Sequence, residues 1–308
     1  MRVPELLLSV LLLASCSHGA PTSAPPTPAP STTPAATQVS PRPSSSVGPV
    51  GITKVLTVVL ENHGTEAAMT GMPYLASLAR AHGRTTHYRA LTHPSLPNYL
   101  ALAGGSTFGV LDDGGPERHP IASASVFDAA LARGRNAATY AEGMARPCQR
   151  QDAGRYATRH NPWTYFASPA SRAACAKHDL PLAALPAAIR TGALPHVGLL
   201  VPDLCNDAHD CGLGTADRWL RQWLGAVLAG PDYRSGHLAV VVTFDEDEGH
   251  QDVGSDVLTV VVAPALTHRV VDVPLDHVSW CRWMTDLVGA EPAPGARRAT
   301  SLGSAFGL

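Results

Sequence analysis

The sequence is short of charge. Only 16% of its 308 residues are Asp, Glu, Lys or Arg, the formal net charge is −2, and there is no basic run. That excludes nucleic acid as a partner, because affinity for a phosphate backbone needs clustered Lys and Arg. There is no C-x-x-C pair, so a structural zinc site is only a weak competing use for the cysteines. There is no internal repeat, which leaves one large domain or two small ones at this length. The longest apolar stretch, near the N-terminus, is too short to span a bilayer as a helix.

That stretch reads instead as an export signal. Arg2 precedes the run Leu6 to Leu13, and Leu13-Ala14-Ser15-Cys16 is similar to a bacterial lipobox, in which the Cys is lipidated. Residues 1–16 are therefore read as a lipoprotein signal ending at Cys16, and the protein as exported, either anchored on the outer side of the cell membrane or secreted. Residues 17–50 are almost wholly Pro, Ser, Thr, Ala and Gly, a disordered tether that cannot bury a core. Export favours disulfides. Cys205 and Cys211 bracket a short segment and are expected to pair, and Cys148 with Cys175 would staple an irregular insertion at about 142–180. Cys281 is left over as a small buried residue on a helix.

The folded part, 51–308, is expected to be a single domain in which strands alternate with helices. Val55 to Leu60 is a continuous β-branched and apolar run, the mark of a strand buried on both faces of a parallel sheet. Helices are expected at about 73–82, 126–133, 215–228 and 278–288, and further strands at 136–140, 196–201, 238–244 and 257–262. The pattern predicts an α/β fold with a mostly parallel sheet. Ser95, in His93-Pro94-Ser95-Leu96-Pro97-Asn98-Tyr99, stands where a helix N-cap belongs, beside amides that favour an anion.

Three strands end in polar clusters: Glu61-Asn62, Asp203 to Asp210, and Asp245 to Glu248. Ligands bind at the carboxyl ends of strands in open α/β sheets, so the three clusters are expected to converge. Glu61, Asn62, Ser95, Asp245 and Glu246 form an all-oxygen set suited to a hard divalent cation (Ca, Mg, Mn) or a high-coordination zinc. Such an ion would lower the pKa of the Ser95 hydroxyl and polarise a phosphoryl oxygen. His209 and His277 are candidates to supply a proton, hold phosphate oxygens or ligate a second metal. His63, His93 and His250 are weaker candidates.

Taken in order, Glu61-Asn62, His93 to Tyr99, Asn206-Asp207-Ala208-His209-Asp210, Thr243 to Gly249 and Asp276-His277 resemble the bacterial phosphoesterase family. That family holds acid phosphatases and phospholipases C and belongs to the alkaline-phosphatase superfamily. The resemblance runs over about residues 53–290. It implies a three-layer α/β/α sandwich and a phosphatase in which Ser95 is transiently phosphorylated. Glu61, Asn62, Asp245 and Glu246 would hold a metal together with Ser95. Asn98, His209 and His277, with His93 and Asp210, would line the phosphate pocket. The expected substrate is a phosphate monoester, with a phospholipid headgroup within its range, and the expected state is a monomer. A phospholipase C-like phosphodiesterase and a surface lipoprotein that binds without turnover are the alternatives.

Overall fold

A computed structural model describes residues 51–249 and 255–308. The signal, Cys16, the tether and His250 lie outside the described residues. The strands are β1 (Lys54–Leu60), β2 (Gly83–Thr85), β3 (Tyr88–Arg89), β4 (Ala137–Ala141), β5 (Asp179–Pro181), β6 (Val197–Val201), β7 (Leu238–Phe244), β8 (Val260–Val262), β9 (Arg269–Val271) and β10 (Leu275–Asp276). The helices are α1 (Thr65–Gly71), α2 (Pro73–Ala81), α3 (Ser95–Gly104), α4 (Val126–Ala132), α5 (Pro169–His178), α6 (Leu185–Thr191), α7 (Leu213–Leu228), α8 (Pro231–Arg234), α9 (His277–Val288) and α10 (Leu302–Phe306).

Eight strands make one sheet in the order β5-β4-β6-β1-β7-β8-β2-β9, and β10 pairs with β3 outside it. The pairs from β5 to β7 are parallel. The expected strand at 257–262 shortens to β8, which runs antiparallel to both β7 and β2. A β-branched run fixes burial on both faces, and β8 is wholly buried, but it carries no information on strand direction.

The central strand β1 is buried from Val55 onward. Each such Val or Leu contributes about 1.5–3 kcal/mol by leaving water. Its side chains alternate between faces. Thr57 and Val59 border the same interior space as Tyr99, Leu102, Phe127 and Trp280, so the odd positions face α3, α4 and α9. Trp280 donates its indole N–H to the Thr57 hydroxyl at 2.8 Å, which removes the polar cost of burying both. On the other helical layer α2 packs on α7 through a long-range cap: Asp217 of α7 accepts from the free amides of Tyr74 and Leu75, each at 3.0 Å.

The expected insertion is more regular than its sequence reads. Residues 142–178 contain two short 3₁₀ turns and the ten-residue helix α5, started by Ser168 and Pro169. Low apolar periodicity hid α5, which exposes most of its surface. Both disulfides are present, Cys148–Cys175 and Cys205–Cys211, and Cys281 is a buried free thiol. No described helix is long and apolar enough to cross a membrane.

Candidate active site

Strand register builds the core of the site. β1 pairs with β7 so that Leu60 lies opposite Phe244, and the ladder continues with Asp245 N–H donating to Leu60 O at 3.0 Å. The next residue of each strand, Glu61 and Asp245, is therefore side by side at the carboxyl edge. Glu61 shares the parity of Thr57 and Val59, so it faces α3. Asn62 follows with a left-handed φ of 58°, a conformation Asn tolerates better than most residues, and turns the chain sharply off the sheet.

Ser95 is placed differently from the expectation. Pro94 is the N-cap of α3, Ser95 is its first helical residue, and no side chain of the N-cap bonds the first turn. The amide of Leu96 is taken by Asp113 Oδ1 at 2.9 Å, a carboxylate from a distant loop. The capping task belongs to Asp113, and the Ser95 hydroxyl is free to donate to Glu61 Oε1 at 2.7 Å. Ser95 is only 4% exposed.

Glu61, Asp245 and Glu246 each present an oxygen within 4.8 Å of the others. Their relative exposures are 0%, 0% and 5%. Glu61 Oε2 and Asp245 Oδ2 are buried with no hydrogen-bond partner. Burial drives the Asp245 carboxyl well above its ordinary range, and the charges of Glu61 and Glu246 add to it. Glu246 is pushed up to about 7, by burial first and then by Glu61, against the opposing pull of His93. Three carboxylates so close cannot all stay ionised without a cation. Buried, unpartnered carboxylate oxygens converging from two strands fit a hard divalent ion.

One histidine that the sequence did not single out sits at the centre. His160 places Nε2 2.5 Å from Glu61 Oε1 and Nδ1 3.1 Å from Asp207 Oδ2, and its ring stacks on Tyr99 with centroids 5.0 Å apart. Burial alone would lower its pKa, but the charge of Glu61 and the bonds to Asp207 and Glu61 outweigh this and raise it. The same pairing holds Glu61 below the usual carboxylate range although burial pulls it upward. The stapled insertion fixes His160: the neighbouring Asn161 amide grips both oxygens of Asp179, at 3.0 and 2.9 Å. A histidine inside an aromatic, Pro-rich segment was the available signal.

The remaining predicted residues divide in two. Near the carboxylates, His93 lies 3.0 Å from Glu246 Oε1 and 3.3 Å from Asp247. Asn98 donates to Glu246 Oε2 at 3.2 Å while its carbonyl accepts from the Leu91 and Thr92 amides. His277, at the start of α9, bonds Asp245 O through Nε2 at 2.6 Å, and burial lowers its pKa to about 4, so it is neutral. Farther out, His209 is partly exposed, with Nδ1 2.7 Å from Asp210 Oδ1 and Nε2 3.2 Å from Arg159 Nη2. From the third cluster it is Asp207, buried, that reaches the centre, and Asp210 that stays half in solvent. His63 pairs with Glu248 at the mouth.

The sheet order defines an α/β protein with a mostly parallel sheet, a fold it shares with a solved protein of the alkaline-phosphatase superfamily. A superfamily protein from Vibrio parahaemolyticus superposes with a TM-score of 0.58 over 80% of this chain and 69% of its own, at 9% identity. The lipoteichoic acid synthase of Listeria monocytogenes gives 0.56 over 82% and 75%, at 8% identity. Identities that low speak for the fold alone. The chain belongs to the Phosphoesterase family, whose model matches residues 61–269. A phosphatidylinositol-3-phosphatase of Mycobacterium tuberculosis is 31% identical over 199 residues, 62% of this chain and 63% of that protein. An acid phosphatase of Aspergillus fumigatus is 29% identical over 215 residues, 67% of this chain and 47% of its own. The match covers less than two thirds of either relative's length.

Proposed function

We propose that the protein is an exported, metal-dependent phosphatase that hydrolyses phosphate monoesters through a phosphoserine on Ser95. The observation that carries this reading is the Ser95 hydroxyl, 2.7 Å from Glu61 Oε1, at the edge of a buried carboxylate group with two unpartnered oxygens. The family and the phosphatase names of its relatives support it.

Glu61, Asp245 and Glu246, with Asn62 and Ser95, would hold a divalent cation. When bound, that ion would supply Lewis acidity to a phosphoryl oxygen and favour the ionised hydroxyl. The chain's own groups do the rest. Glu61 orients the Ser95 O–H, and α3 brings the positive end of its dipole to the phosphoryl group. His160 and Asp207 hold Glu61 at one angle, and His277 does the same for Asp245 through its backbone carbonyl. Asn98 and His93 fix Glu246. His209, oriented by Asp210 and partly exposed, would exchange a proton with the leaving oxygen. Hydrolysis of the phosphoserine then regenerates Ser95.

The leader with Cys16 and the tether support export and attachment to the outer face of a membrane. Ser95→Ala, shown to be folded, is expected to lose on the order of 10³-fold or more of phosphate release from an aryl phosphate. Undiminished turnover would remove Ser95 as the nucleophile. Offering monoesters and diesters side by side decides between monoesterase and phosphodiesterase chemistry.

A further inference from the structure

Outside the main sheet, β3 and β10 form a parallel pair with Tyr88 opposite Leu275 and Arg89 opposite Asp276. So small a pair adds little stability by itself. What it sets is the start of α9. Asp276 caps that helix by accepting from the Ser279 amide at 2.9 Å, and its own amide donates to Ser279 Oγ at 3.2 Å. His277, the first residue of α9, is thereby held beside Tyr88. The two rings meet edge to face with centroids 5.5 Å apart, and both residues are 0% exposed. Tyr88 Oη lies 3.3 Å from His277 Nδ1.

The partners of the imidazole decide where its proton sits. His277 Nε2 is 2.6 Å from Asp245 O, a carbonyl, which can only accept. The proton of the neutral ring is therefore on Nε2, and Nδ1 is an acceptor. A buried lone pair left without a donor is costly, and the Tyr88 hydroxyl supplies the donor. Burial raises the Tyr88 phenol well above its ordinary pKa, which keeps that proton in place. Thr243, another polar neighbour of the phenol, is itself paired with Thr259 at 2.7 Å. The opposite tautomer would set a lone pair of Nε2 against the Asp245 oxygen. The Asp245 amide is engaged with Leu60 O at 3.0 Å, so the peptide groups on both sides of its Cα are held. Its carboxyl is then aimed at Glu61 and Glu246.

We propose that Tyr88 is a positioning residue: its hydroxyl fixes the tautomer of His277, and His277 in that form holds Asp245 in place for the divalent ion. Tyr88 acts only through the imidazole, and the β3–β10 pair is the device that brings the two together. The inference rests on the metal-dependent phosphatase reading above.

The test compares the full-length chain with Tyr88→Phe, which keeps the ring and removes the hydroxyl. Long-range proton–nitrogen NMR of histidine-labelled protein reads the tautomer, with the His277 signals assigned by their loss in His277→Ala. The wild type is expected to show the proton on Nε2 and a hydrogen-bonded, unprotonated Nδ1, and Tyr88→Phe a mixture of tautomers. Titration with magnesium and with calcium reads the ion affinity, which Tyr88→Phe is expected to lower about tenfold. On an aryl phosphate the variant is expected to lose kcat by about the same factor, with KM within about twofold, because Tyr88 does not meet the substrate. In a His277→Ala background the same substitution is expected to change ion affinity by less than about twofold, since the group it acts through is gone. An equal loss in both backgrounds would overturn the proposal and make Tyr88 a packing residue. Unchanged affinity and kcat in Tyr88→Phe would overturn it too. Should Tyr88→Phe fail to fold, the wild-type spectrum decides: a protonated Nδ1, or one with no hydrogen bond, would sink the role of Tyr88 and leave the phosphatase reading standing. A wild-type chain inactive on the aryl phosphate would overturn the phosphatase reading and this inference with it.

Discussion

The strand-end cluster and the neighbouring insertion leave different kinds of buried polar group unpaired. At the ends of β1 and β7, two buried carboxylate oxygens have no hydrogen-bond partner, Glu61 Oε2 and Asp245 Oδ2. Around the stapled insertion, Arg150 Nε, Thr158 Oγ1 and the Tyr165 hydroxyl are buried without a partner, and the two hydroxyls can accept as well as donate. A folded chain leaves few buried polar groups unpaired. The two carboxylate oxygens at the strand ends fit a cation.

His160 is the residue that joins the two regions, since it belongs to the stapled insertion and touches Glu61 in the cluster. His160→Asn is expected to lower metal affinity or turnover about 10–100-fold, the usual loss when a group that orients a ligating carboxylate is removed. Metal titration of the folded variant checks this, and wild-type affinity with wild-type turnover would break the link between the regions. A smaller effect sharpens the insertion half of the comparison. Without any added anion, Tyr165→Phe is expected to stay within about 0.5 kcal/mol of the wild type or exceed it, because its hydroxyl has no partner to lose. Denaturant unfolding in phosphate-free buffer measures it. A loss above about 1.5 kcal/mol would mean that the hydroxyl is already hydrogen-bonded.

The two regions also differ in how far the sequence reveals them. The acceptor cluster follows from strand physics: apolar runs at Val55–Leu60 and Leu238–Phe244 each end in carboxylates, and parallel register sets those ends side by side. Glu61, Asp245 and Glu246 were legible for that reason, as was the α/β class. The neighbouring region is made by the 112–118 loop and the stapled insertion, where no periodicity dictates position. Asp113, Arg159 and His160 were therefore missed, and α5 was read as irregular. The cap reading of Ser95 failed, because a local signal cannot show that Asp113, 17 residues from Leu96, holds that amide instead. The direction of β8 was likewise out of reach, since burial fixes its composition and not its polarity.

The central claim is that the carboxylate cluster holds a divalent ion needed for Ser95 chemistry. Elemental analysis of the purified full-length protein, run beside phosphate release from an aryl phosphate, tests it most directly. The account predicts about one divalent ion per chain, and the joint loss of ion and turnover in folded Asp245→Asn, by on the order of 10²–10³-fold in rate. A metal-free protein that still hydrolyses the ester, or an Asp245→Asn variant with full activity, would contradict it.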